Sequence, residues 1–122
     1  MSRERGSVSI VVAAVVAALV VLAMGASDLA RVLVVAARAQ TAADAAALAA
    51  AQELAVPTDT EPVDSATAFA ASNGATLVSC DCGSGTFTAE VTVRAPVGNL
   101  LLFDDDRVVQ AEAVAVVDLP GG

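Results

Sequence analysis

Two cysteines and three consecutive aspartates are the residues of this 122-residue chain whose types and spacing point to chemistry. Cys80 and Cys82 are the only cysteines. On a strand, residues two apart lie on the same face, so the pair can form a Cys-x-Cys disulfide or link two molecules. A catalytic thiolate needs a nearby cation or helix N-terminus, which Asp81 and Gly83 do not supply. We expect oxidised, structural cysteines.

Asp104, Asp105 and Asp106 offer carboxylate oxygens, which Ca²⁺ prefers, but they lack the alternating spacing and the glycine of a calcium loop. The chain has no His, Tyr or Trp. Ser-His and Cys-His catalytic pairs are therefore excluded within it, and two thiols fall short of a zinc site. We predict a solvated aspartate loop, no cofactor, no bound metal, no small-molecule substrate and no enzymatic activity.

One long helix must position everything else. No charged residue occurs from Gly6 to Ser27, and about 20 apolar residues suffice to cross a bilayer core of roughly 30 Å. The following segment, from Asp28 to Leu54, is rich in Ala and has no Gly or Pro before Pro57. We predict a continuous helix over residues 7–55 that spans the membrane and extends beyond it.

The N-terminal charges predict the orientation of this helix. Residues 1–6 form a short tail with Arg3 and Arg5, and positive charge beside an apolar run favours the cytoplasmic side. We therefore predict a single-pass protein of the cell membrane, with its C-terminal part outside the cell. The alternative is a secretory signal cleaved near Ala23-Met24-Gly25, although the apolar run is longer than usual for such a signal.

Acidic residues are concentrated in the C-terminal part of the chain. Ten acidic residues and two arginines follow Val56, so this part carries the entire net charge of −8. An acidic surface repels phosphate backbones, which argues against nucleic acid as a partner.

The C-terminal part predicts a small α+β domain. Residues 56–64 contain two prolines and form a linker, and residues 65–122 form the domain. Asp64 or Ser65 caps a short helix that ends at Gly74. Three segments then follow, of which the second and third clearly alternate apolar and polar residues, and we predict a three-stranded antiparallel sheet covered by a helix. These strands are ATLVSCD, GTFTAEVTVRAP and RVVQAEAVAVVDL, with Phe87, Ala89, Val91, Val93 and Ala95 of the second on one face.

The segments RGSVSIVVAAVVA and RAQTAADAAALAAAQEL together resemble the TadE/TadG-like proteins, pilin-like membrane components of tight-adherence (Flp pilus) secretion systems. The most specific part is Arg38 to Leu54, and the short actinobacterial members are similar over nearly the whole chain. The resemblance implies a pilin-like envelope protein that is not an enzyme. It also implies that the partners are the membrane and either pilus or secretion-system proteins or further copies of this chain.

The resemblance further implies a processing site. Type IV pilins are cut after a glycine and carry Glu at the fifth position beyond the cut. Gly6 matches that glycine, which would make Ser7 the new N-terminus, but the fifth position holds Val11.

The Ala-rich helix face is the predicted interface. Small side chains allow close helix approach, so we expect the surface carrying Arg38, Ala46 and Ala50 to contact other subunits. Two alternatives are a solvent-exposed face and a face that covers the chain's own sheet. For the whole protein, the alternative function is a secreted adhesion or effector module released by signal peptidase, with a thiol-disulfide enzyme third.

Overall fold

The computed structural model describes residues 2–83, 85–103 and 106–118, and for residues 2–5 it describes the backbone only. Two helices precede three strands, and the strands form one antiparallel sheet in the order β1-β2-β3. This architecture confirms the predicted α+β class. The elements are α1 (Ser2–Ala55), α2 (Pro62–Ser72), β1 (Thr76–Asp81), β2 (Thr88–Pro96) and β3 (Val108–Val116).

Helix α1 has two halves with different surroundings. It runs for 54 residues, or roughly 80 Å at 1.5 Å per residue, and it begins five residues before the predicted start at Ser7. Every residue from Gly6 to Ala23 is exposed, whereas most residues from Ala39 to Ala51 are buried. The helix ends before Pro57, since proline disfavours helical geometry in the residue that precedes it.

Helix α2 begins earlier than the capping residues predicted. Its N-cap is Glu61, which makes no side-chain capping bond, and Pro62 occupies the first helical position. Proline is well suited there because its φ is already helical and the missing N–H would have no partner. The prediction of a cap at Asp64 or Ser65 was therefore wrong. The predicted end is confirmed, as Gly74 has φ +79°.

The sheet has one covered face and one open face. In β2 the residues Ala89, Val91, Val93 and Ala95 are buried, and their partners on β3 are the small or β-branched residues Ala115, Ala113, Ala111 and Val109. This alternation confirms the predicted inner face, with one exception. Phe87 precedes β2 and is exposed, because the chain enters the strand only at Thr88.

Both helices cover the inner face of the sheet. α1 contacts β2 and β3, and α2 contacts α1 and β1. The core consists mainly of alanine and valine, which lets the α1 backbone approach the sheet closely. Its buried members on the helices are Ala39, Ala42, Ala43, Ala46, Ala47, Ala50, Ala51, Ala66 and Ala70.

The structure corrects the role expected for Ala46 and Ala50. Both are 0% exposed and belong to the chain's own core, so they are not available to another subunit while the domain is folded. The alternative in which this face covers the sheet is the observed arrangement. The pattern misled because an alanine-rich helix carries small residues on every side.

We predict that replacing Ala46 and Ala50 together by Leu destabilises the domain. Each extra side chain overpacks a filled core, at a cost of about 1–3 kcal/mol per site. Thermal unfolding of the full chain in detergent, followed by circular dichroism, measures the change. Ala37→Leu is the matched control, because Ala37 is exposed on the same helix and such changes stay within about 0.5 kcal/mol. Equal unfolding temperatures for the double variant and the control would contradict this packing.

Candidate membrane-anchoring site

The first part of α1 is the candidate site for membrane contact. Among the described residues there is one helix that is long and apolar enough to cross a membrane, and no residue in its most apolar stretch is buried. A helix in the core of a soluble domain would be covered by other elements, which this segment is not. Water disfavours such an apolar surface and lipid accepts it, so the helix is suited to be a single-pass anchor.

The anchor meets the domain at Asp28, the first charged residue after the apolar run. Asp28 is 1% exposed. Its Oδ1 accepts the backbone N–H of Leu101 at 2.7 Å, and its Oδ2 accepts that of Leu102 at 2.7 Å. A buried carboxylate is stable when hydrogen bonds of this kind satisfy its oxygens. The side chain therefore fixes the loop between β2 and β3 to α1.

Arg31 adds a second tie to the same loop. Its Nη1 donates to the backbone carbonyl of Asn99. Asp28 and Arg31 are three residues apart on α1. Asp28 accepts hydrogen bonds from N–H groups of the loop, and Arg31 donates one to a carbonyl of the same loop. The sequence indicates a pair at this spacing, but it contains no signal that the partners are backbone groups some seventy residues further along.

The loop, residues 97–107, is held in shape at its base. The N–H of Val97 donates to the carbonyl of Arg107 at 3.0 Å, which closes the loop beyond the last β2–β3 pair. Gly98 has φ +84°, a conformation that residues with a Cβ rarely adopt. Val97 and Leu100 are buried, so the following apolar residues project from a fixed base.

A second polar contact fixes the other end of α1. Glu53 accepts the Thr58 hydroxyl on Oε2 at 2.6 Å and the Ser65 hydroxyl on Oε1 at 3.2 Å. One carboxylate thereby joins α1, the linker and α2. Because both oxygens are engaged, this acidic residue has a structural role.

Cys80 and Cys82 are joined in a disulfide with a Cα–Cα distance of 5.4 Å, within the usual range for such bonds. Cys82 is buried in the core, and Cys80 packs against it from β1. The bond lies at the end of an edge strand, next to the turn that leads to β2. Within the described residues no group of three or more His, Cys, Asp or Glu side chains is arranged to hold a metal.

The remaining predicted site residues lie far apart. Gly6 and Ser7 are exposed near the start of α1. Arg38 is exposed and lines a shallow hollow with Val34, Thr41 and Asn73. Asp104 and Asp105 lie outside the described residues, and Asp106 is exposed. The structure thus brings the cysteines together and separates the processing site from the Arg38 surface.

Comparison with known families finds a match along α1. Residues 6–53 match the family described as putative Flp pilus-assembly TadE/G-like. The predicted resemblance is confirmed over these residues. No curated protein and no solved structure matches the chain. The matched segment lies within α1 (Ser2–Ala55). It includes both Asp28 and the buried alanines of α1.

We predict that Asp28→Ala loosens the loop that α1 holds. The change leaves two backbone N–H groups unpaired, and each buried unpaired group costs about 1–3 kcal/mol unless water reaches it. Hydrogen exchange of residues 97–107, measured by mass spectrometry, should accelerate. Asp28→Asn should have an intermediate effect, because the amide keeps one acceptor oxygen. Asp44→Ala, at an exposed position of the same helix, is the control. An unchanged exchange rate in Asp28→Ala would contradict the role of this carboxylate.

We also predict that Cys80 and Cys82 are oxidised in the native protein, since locations outside the cytoplasm favour disulfides. Alkylation without reductant, followed by mass spectrometry, should leave both sulfurs unlabelled. Reduction and denaturation before alkylation should label both and serves as the control. Two labelled thiols without reduction would refute the prediction.

Proposed function

We propose that the chain is a structural, pilin-like component of an Flp-type pilus or tight-adherence secretion apparatus. The single observation that carries the proposal is the TadE/G-like match over α1. The match covers α1. The first part of this helix is an exposed apolar surface, and its second part contributes buried residues to the core of the domain. Its partners are the membrane and pilus or secretion-system proteins, or further copies of the chain.

In this proposal the N-terminus is cytoplasmic and the domain lies outside. Arg3 and Arg5 precede the apolar run and favour retention on the cytoplasmic side. The acidic domain and the cysteine pair are then extracytoplasmic. Residues 1–6 form the tail and residues 7–55 the anchor and its extension. The predicted linker, residues 56–64, is shorter in the structure and ends at Glu61, because α2 begins at Pro62. The small domain, predicted as residues 65–122, therefore starts with α2.

The second candidate is a secreted module released by signal peptidase. The exposure of every residue from Gly6 to Ala23 fits this candidate as well as the anchor. A cut near Ala26 would leave Asp28, its loop and the whole core in place. N-terminal sequencing of the mature protein separates the cases: a start at Met1 or Ser2 indicates an intact anchor, at Ser7 pilin-type processing after Gly6, and near Ala26 secretion.

We predict that the protein remains in the membrane fraction with its C-terminus outside. Alkaline extraction of membranes should leave it in the pellet, because the uncharged run is long enough to span the bilayer. A C-terminal tag should be removed by protease added to cells whose inner membrane is intact, while a cytoplasmic marker protein survives. Recovery in the culture supernatant would contradict the anchor, and a protected tag would contradict the orientation.

A further inference from the structure

We propose that the apolar tip of the β2–β3 loop, defined as Leu101, Leu102 and Phe103, inserts into the outer lipid interface beside α1. The inference rests on the proposed function in one respect, namely that α1 spans the membrane. It adds a second membrane contact to that anchor. The partner that we propose for the tip is therefore lipid, and not another protein.

The first argument for lipid contact is the position of the tip along α1. A Cβ built on Gly25 would lie 3.7 Å from Cδ1 of Leu102, and Asp28 binds the backbone of the tip. Twenty residues of helix counted from Ser7 end near Ala26, and they span about 30 Å, the thickness of the hydrocarbon core. Leu102 therefore lies at the level where the hydrocarbon ends, on the side of Asp28 that faces the apolar run.

The second argument is the exposure of the apolar side chains of the tip. Leu101, Leu102 and Phe103 are 56%, 46% and 52% exposed. Three successive large apolar side chains on a loop are unusual in water and are typical of a contact surface. The exposed Val21 and Leu22 lie within one turn of Gly25 on α1. The tip thus continues the apolar surface that the anchor already presents to lipid.

The third argument is that polar groups of the loop have hydrogen-bond partners. Unpaired backbone groups are not tolerated in lipid, and Asp28 accepts the N–H groups of Leu101 and Leu102 while Arg31 donates to the Asn99 carbonyl. The Arg107 guanidinium lies 5.0 Å from the centre of the Phe103 ring. In the proposed arrangement, both guanidinium groups lie beside the tip at the level of the headgroup phosphates. The exposed Asp106 follows Phe103 three residues later, and a charged carboxylate there keeps the insertion shallow.

The absence of tryptophan from the sequence permits a direct test. Single-tryptophan variants of the full chain are reconstituted in vesicles of phosphatidylcholine and phosphatidylglycerol containing lipids brominated near the headgroup or near the chain end. Phe103→Trp reports on the tip and Val16→Trp on the middle of the anchor. Val114→Trp is the control, because it lies on β3 beyond Glu112, whose carbonyl Gln40 binds. Gln40 is twelve residues beyond Asp28, or about 18 Å along the helix.

We expect Phe103→Trp to lose more emission to the shallow bromines than to the deep ones. Val16→Trp should show the opposite order, and Val114→Trp should be quenched by neither lipid. Quenching of Val16→Trp with no quenching of Phe103→Trp would overturn the inference and leave the anchor intact. No quenching of Val16→Trp would overturn the anchor and the inference together. A blue-shifted Phe103→Trp that bromine does not quench indicates a protein contact and also overturns the inference.

A second comparison shows whether the native residues make the contact. Leu101→Ser in the Phe103→Trp background should reduce the shallow quenching. Val116→Ser in the same background is the matched control, at an exposed apolar position of β3, and should leave the quenching unchanged. Equal quenching with and without Leu101→Ser would mean that the introduced tryptophan alone reaches the lipid, which refutes the proposal. Circular dichroism confirms that each variant is folded before the comparison.

Discussion

Alanine methyl groups on the second half of α1 lie against the valines of β2, and the other elements are arranged around this contact. Val91 and Val93 are fully buried beneath the helix. Each alanine contributes little by itself, about 0.8 kcal/mol per buried carbon, so the domain depends on many close contacts. The same small residues leave no room for larger ones. Close approach is therefore both the source of stability and its main limit.

The same helix also joins the anchor to the domain without a break. The helix that presents apolar side chains from Gly6 to Ala23 is the helix that carries the core from Ala39 to Ala51. No linker separates the two parts within α1. The position of the sheet relative to the anchoring segment is set by helical geometry, and the β2–β3 loop returns to α1 at the end of the apolar run.

Asp28 shows how a polar residue is accommodated at this boundary. Its carboxylate is buried, and two backbone N–H groups satisfy its oxygens. Glu53 has the same function at the other end of the extension, where it binds the linker and α2 through two hydroxyls. Two carboxylates on one helix thus hold the segments that connect the secondary structure. The remaining acidic groups described in the domain are exposed, consistent with a solvated outer surface.

The sequence by itself determined the elements whose signals are local. A long uncharged run, an alanine-rich continuation and two clearly alternating segments predict the helix, the anchor and most of the sheet, because each period is visible within a few residues. Only the tertiary structure decided which side of α1 is covered, since alanine on all sides gives no preferred face. Ala46 and Ala50 were for that reason assigned to the wrong partner. The bonds of Asp28 join residues 73 and 74 positions apart. Such pairs arise when the sheet folds back onto the helix, and no local pattern in the chain specifies them.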